Sequence, residues 1–252
     1  EMCIRDSVYS LATTIDFAGG DAVSGSRRPQ VRWEESLSDS DGYEAAVAIE
    51  MLEFADIDNV ADQPGRASQQ LPLLAARLTK STDRGRLMLG GSVFELRWDG
   101  EGEIDNATAL GWGLTFSGRL GLGKQDFLVW NASAGKGWAS NIATGIGADA
   151  AAVLTPDGTL DPLFAWNVQV GGAHYLSDVV AFNASLAWAS FEDSTERPGD
   201  RLLEGATAHF NVIWSPVKSV NTGVEYMVAL RRNVDEADGT AHRVQAMVKY
   251  IF

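Results

Sequence analysis

The chain has 252 residues, 34 acidic against 20 basic side chains for a net charge of −14, one cysteine and 26 glycines. That balance excludes a nucleic-acid binder, which needs clustered positive charge, and a lone cysteine excludes an internal disulfide and a cysteine-based structural zinc site. No apolar stretch approaches the roughly 18 residues of a membrane helix, which leaves a soluble domain or a β-barrel whose membrane signal is spread over many short alternating segments.

Glu1 to Ser7 reads as the in-frame translation of the transposase mosaic-end adapter used in sequencing libraries. It is set aside as scar. Residues 8–252 are then expected to form one domain, the C-terminal part of a longer protein. Candidate strands follow at 28–36, 43–54, 70–79, 85–97, 108–120, 126–138, 162–175, 180–188, 206–214, 219–232 and 242–252. The pattern is plainest late in the chain: Val180, Phe182, Ala184, Leu186 and Trp188 alternate with Ala181, Asn183, Ser185 and Ala187. Ala206, Ala208, Phe210, Val212 and Trp214 alternate with Thr207, His209, Asn211 and Ile213. A period of two with one apolar and one polar face marks a strand between unlike environments. About eleven such strands, many near ten residues long, suit a tilted membrane strand better than the five or six residues usual in soluble sheets. Segment 43–54 is rich in Ala, Glu, Met and Leu and favours helix by propensity, but its parity and its flanking connections fit a strand.

Connections alternate in length. Short ones are expected at 37–42, 80–84, 121–125, 176–178 and 215–218, and long ones at 55–69, 98–107, 139–161, 192–204 and 233–240, as in outer-membrane barrels. Acid collects in the loops, at Asp56, Asp58 and Asp62, at Glu192, Asp193, Glu196, Asp200 and Glu204, and at Asp235, Glu236 and Asp238. These runs read as solvated surface; bridging of divalent cations to anionic lipid headgroups is the sharper alternative. Trp33, Trp112, Trp130, Trp166, Trp188 and Trp214 share the apolar parity and sit towards strand ends, and with Tyr250 they resemble the aromatic girdle of a membrane barrel. Tyr250 and the final Phe252 resemble the terminal-strand signal read by the barrel-assembly machinery.

The polar parity of a wide barrel faces water. It carries Arg28, Gln30, Arg32 and Glu34 on strand 28–36, Arg77 on 70–79, Glu225 and Arg231 on 219–232, and Arg243 on the last strand. Strands 28–36 and 70–79 are two positions apart, which puts their arginines on one wall roughly 10 Å apart. Inward guanidinium groups bind carboxylate or phosphate bidentately and favour anions in a pore. The competing reading pairs them with Glu34, Glu50 or Glu225 as wall supports.

The run from Ser215 to Phe252, A-H-F-N-V-I-W-S-P-V at 208–217, T-I-D-F at 14–17 and R-R-P-Q-V-R-W at 27–33 resemble the DcaP-like trimeric outer-membrane porins. The resemblance implies an all-β, transmembrane antiparallel β-barrel of porin type, truncated to about 11 of about 16 strands, in the outer membrane of a Gram-negative bacterium. It implies passive diffusion of small organic anions, dicarboxylates among them, by a homotrimer in contact with outer-membrane lipid and lipopolysaccharide. Residues 8–26 would match the loop that folds into the lumen as a constriction, with Asp16 facing the arginine wall. No metal, cofactor or nucleic acid is expected. A soluble ligand-binding β-barrel or β-sandwich is the alternative, and an outer-membrane barrel enzyme a lesser one. His209 and Ser185 share the inward parity, but there is no nucleophile elbow, phosphate-binding glycine loop or HExxH motif.

Overall fold

The computed structural model describes residues 13–15, 23–24, 28–38, 42–51, 55–60, 62–102, 105–143, 150–194 and 197–251. The adapter-like residues 1–7, Asp16, Glu196 and Phe252 lie outside the described residues. Eleven strands run in sequence order through one antiparallel sheet. They are β1 (Gln30–Ser38), β2 (Tyr43–Glu50), β3 (Leu73–Thr82), β4 (Gly85–Gly100), β5 (Ala107–Gly121), β6 (Phe127–Lys136), β7 (Phe164–Ser177), β8 (Val180–Phe191), β9 (Leu202–Val217), β10 (Val220–Asn233) and β11 (Asp238–Tyr250). Each pairs with the next in the chain, and β1 and β11 are the two edges. The sheet does not close on itself; it is an incomplete barrel wall. The segment with helix-favouring composition is strand β2, ending at Glu50: cross-strand pairing with β1 and β3 overrides propensity.

The sheet is inverted relative to a soluble protein. On β6, residues 127, 129, 131, 133 and 135 are buried and their alternates less so; β7, β8 and β9 repeat the pattern. Much of what is covered is polar, Asn131, Asn167, Asn183, Asn211 and Glu225 among it. What is exposed is apolar: Val31 at 79%, Leu110 at 68% and Val248 at 81%. A continuous exposed apolar face behind a polar inner one suits a wall with lipid outside and water inside. Trp33, Trp112, Trp166, Trp188 and Trp214 are exposed on that outer face. Trp130 shares their parity and packs on Phe116 with ring centroids 5.9 Å apart. The remaining two, Trp98 and Trp138, are buried on the inner face.

Tight turns at 83–84, 178–179 and 218–219 lie at one end of the wall, and the connections 51–72, 101–106, 137–163, 192–201 and 234–237 at the other. One expected long loop is short: after Asn233 the chain closes through Asn233 N–H to the Ala237 carbonyl at 2.8 Å, with Glu236 at φ 65°. Two long loops fold inward instead of standing in solvent. Ile57–Asn59 runs parallel to Ala152–Leu154, which pairs antiparallel with Leu160–Pro162. Their Ile57, Ala152, Leu154 and Leu160 join Leu73, Phe94, Leu96, Trp98, Trp138 and Phe191 of the wall and adjoining loops in one apolar cluster. The reading of the acidic runs as solvated surface fits Asp56, Asp62, Glu192, Asp193, Asp200, Asp235, Glu236 and Asp238, which are exposed, and is corrected at Asp58. Asp58 is buried and ion-paired with Arg201, whose second arm lies 3.6 Å from Asp56. A buried carboxylate needs a partner, and loop 192–201 supplies it from across the mouth.

Candidate functional site: the lumenal wall

Hydrogen-bonded register assembles the site. Glu34, Ala46 and Arg77 are successive cross-strand partners on β1, β2 and β3. Alanine in the middle leaves room for the outer two side chains to meet over it: Arg77 Nη2 donates to Glu34 Oε2 at 2.8 Å. The same nitrogen lies 3.0 Å from Glu44 Oε1, which also accepts from Arg86 Nη2 at 3.1 Å. Arg32 Nη2 reaches Glu34 Oε2 at 3.0 Å from within β1. The guanidinium groups of Arg32, Arg77 and Arg86 thus share two carboxylates in a zigzag across four strands.

Arg28, Arg32 and Arg77 converge on a cavity of about 80 Å³ whose floor is Ala46, Ala48, Ala75, Gly90 and Gly113. Met88, Leu73 and Trp138 supply its apolar side, Gln30, Ser92, Thr115 and Asn141 its further neutral polar atoms, and Glu50 a carboxylate beside the three arginines. Arg28 is buried, with Nη2 donating to Asn141 Oδ1 at 2.6 Å. The ring of Trp138 can lie against the wall because residue 113 has no Cβ; one built there would fall on that ring. Trp138 Nε1 is satisfied by Ser133 Oγ at 2.8 Å.

The other half of the wall is an uncharged belt. Asn167 bonds Ser133 and donates to Asn131 Oδ1 at 3.1 Å, and Asn183 donates to Asn211 Oδ1 at 2.8 Å. It ends on Glu225, which is fully buried. Its Oε2 accepts from Asn211 Nδ2 at 2.9 Å and from the Ile15 backbone N–H at 2.8 Å. Its Oε1 accepts from Gln245 Nε2 at 2.9 Å and lies 3.3 Å from His209 Nδ1. Asn211 Nδ2 also donates to the Thr13 carbonyl at 2.8 Å. Residues 13–15 therefore lie inside the wall, held by its polar face.

The expected residues are not all brought together. Arg28, Arg32 and Arg77 line one cavity. Arg231 turns to the long-loop end, bonding Asn233 Oδ1 at 2.7 Å and the Asp200 carbonyl at 2.9 Å. Arg243 is exposed on the edge strand opposite Met227, and Tyr250 ends that strand. Glu225 faces residues 13–15 rather than an arginine named for the wall. Ser185 is the cross-strand partner of His209, and its hydroxyl accepts from Gln169 Nε2 at 3.2 Å. Two inward arginines, Arg86 and Arg119, had not been singled out; both lie on the inner parity of strands whose alternation was legible, and counting that parity along β4 and β5 would have found them.

The wall's architecture matches solved channels. Over 100% of this chain and 70% of the other, it superposes on the outer membrane channel DcaP of Acinetobacter baumannii with a TM-score of 0.83 at 21% identity. The fold is that of an outer-membrane porin. An anion-selective porin from Comamonas acidovorans matches at a TM-score of 0.50 and 9% identity, over 88% of this chain and 57% of that one. No family model matches the sequence, and no curated protein does so.

Proposed function

We propose that the chain is the C-terminal, eleven-strand part of an outer-membrane porin that passes small organic anions, dicarboxylates among them, by passive diffusion. The observation that carries this reading is the charge on the inner face of β1 to β5. Four guanidinium groups, Arg32, Arg77, Arg86 and Arg119, stand with three carboxylates, Glu34, Glu44 and Glu50, and Arg28 adds a fifth guanidinium beside Glu50 in the cavity. A wall with surplus positive charge beside a low-dielectric lipid shell concentrates anions despite the acidic total. The fold shared with DcaP and with a porin described as anion-selective supports it.

In this reading, strands upstream of β1 close the barrel, residues 8–26 form the constriction, and three copies assemble in the membrane with lipopolysaccharide around them. The assembly machinery would engage β11 through Tyr250 and Phe252. Reversal potentials of the full-length protein in planar bilayers under a salt gradient test the proposal. Wild type is expected to prefer chloride over potassium, and Arg32→Ala and Arg77→Ala to weaken that preference. Cation preference in wild type overturns it.

A further inference from the structure

Arg86 and Arg119 are direct cross-strand partners on β4 and β5. Like charges placed opposite one another destabilise a sheet, yet both side chains take the inner parity, away from Leu87 and Leu120 on the lipid face. Arg86 turns towards Glu44. Arg119 instead lies over the ring of Phe127, with Cζ 3.7 Å from the centroid. That ring is itself fixed, packed with Val129 and Ala173 in a small buried cluster. A guanidinium held over a ring keeps N–H groups with which to meet an anion, and among the described residues no carboxylate pairs with Arg119. Arg119 lines a cavity of about 620 Å³ at the short-turn mouth, together with Arg84, Arg86 and Lys124. Of its two acids, Asp126 is already engaged by His174 and the Tyr175 N–H, which leaves Asp83.

We infer that Arg119, held by Phe127, is the centre of a second anion-binding site at the short-turn mouth, separate from the Arg28, Arg32 and Arg77 cavity, and that it takes a solute bearing a carboxylate or phosphate group. A bound anion would relieve the repulsion between the facing arginines. This site rests on the lumenal reading of the inner face and adds a place where the anion pauses on its way through.

The test uses the full-length protein in planar bilayers of phosphatidylcholine, with sodium citrate added to either chamber in turn during chloride conduction. Citrate is expected to block at a lower concentration from one chamber than from the other. Arg119→Gln should raise that lower half-blocking concentration by about fivefold, the worth of one partly exposed ion pair, and abolish the difference between chambers. Phe127→Leu, which keeps apolar volume and removes the ring face, should weaken block in the same direction. Block unchanged in Arg119→Gln overturns the inference; should that variant not assemble, unchanged block in Phe127→Leu does so. Replacing half the lipid by phosphatidylglycerol should leave citrate block as it was, and loss of block there would assign the site to a lipid headgroup. An anion-preferring wild type whose citrate block ignores Arg119 sinks this site alone. A cation-preferring wild type with Arg119-dependent block sinks the selectivity proposal alone.

Discussion

Arg77 Nη2 meets Glu34 Oε2 at 2.8 Å although their strands are not neighbours: β2 lies between them, and the contact passes over Ala46. The small side chain at 46 lets charge on β3 be balanced from β1. The ion pairs and the proposed selective surface are thus the same atoms, and the two readings of the inward arginines cease to exclude one another.

Removing the carboxylates should therefore strengthen selectivity. In the double variant Glu34→Gln, Glu44→Gln, Arg32, Arg77 and Arg86 lose their shared counter-charges. We expect chloride-to-potassium preference to rise roughly two- to fivefold, from about 0.5–1 kcal/mol per partly exposed pair. The shift should shrink in high salt. Zero-current potentials across a salt gradient measure it, and a move towards potassium would contradict the assignment.

Glu225 gathers donors from β9, β11 and the backbone of Ile15. Truncation to Ala leaves the Gln245 side chain and the Ile15 N–H without this acceptor, at about 1–3 kcal/mol each where they stay buried, and loosens residues 13–15, which keep the bond from Asn211 to the Thr13 carbonyl. Single-channel recordings of Glu225→Ala should show a larger and noisier conductance. Glu225→Gln, which keeps one acceptor oxygen, should fall between. Conductance identical to wild type in both would mean that the inward segment does not narrow the path.

The inner-face glycines give a packing prediction. A methyl group at position 113 would overlap the Trp138 ring. Gly113→Ala must displace that indole and break its bond to Ser133, for about 1–3 kcal/mol of overpacking. The folded protein should lose its compact, heat-modifiable gel mobility at a lower temperature. Gly123→Ala, where a Cβ meets nothing within 4 Å, is the control that should not shift.

At the short-turn end, Asp126 accepts from the Tyr175 N–H at 2.8 Å and bonds His174 Nδ1 at 2.7 Å. The Tyr175 amide first, and then His174, hold its carboxyl below the usual carboxylate range. A lowered value in the folded state makes the contact stabilising above the unfolded carboxylate pKa, with the contribution lost as pH falls through the folded value. Hydrogen exchange at the Tyr175 amide should be slow at neutral pH and accelerate, relative to the sheet amides, only in strong acid. Asp126→Asn should exchange faster at neutral pH and lose that acid dependence.

Much of the wall was legible because each strand divides lipid from water, so a two-residue period is imposed along its length. Strand 180–188 was read inside the observed Val180–Phe191, and the side taken by Trp188 followed from parity. The inward loops were not legible. Ile57–Asn59 and Ala152–Leu154 are three residues each, too short for a period, and their pairing joins segments nearly a hundred positions apart. Asp58 looked solvated because its partner, Arg201, lies in another loop. Arg86 facing Arg119 is a matter of register between strands, which periodicity along either strand does not record.

Strand β1 is open along its length: from Val31 to Leu37 every side chain on both faces is exposed. Protected edges carry lysine, proline or a bulge; Gln30–Ser38 contains neither lysine nor proline, and its register shift falls only at its last residues, between Ser36 and Ser38. A strand so undefended is a template. Produced without a neighbour for β1, the sheet should polymerise edge to edge through β1 and β11 into ribbons, and a short peptide complementary to β1 should act as a chain terminator of that growth.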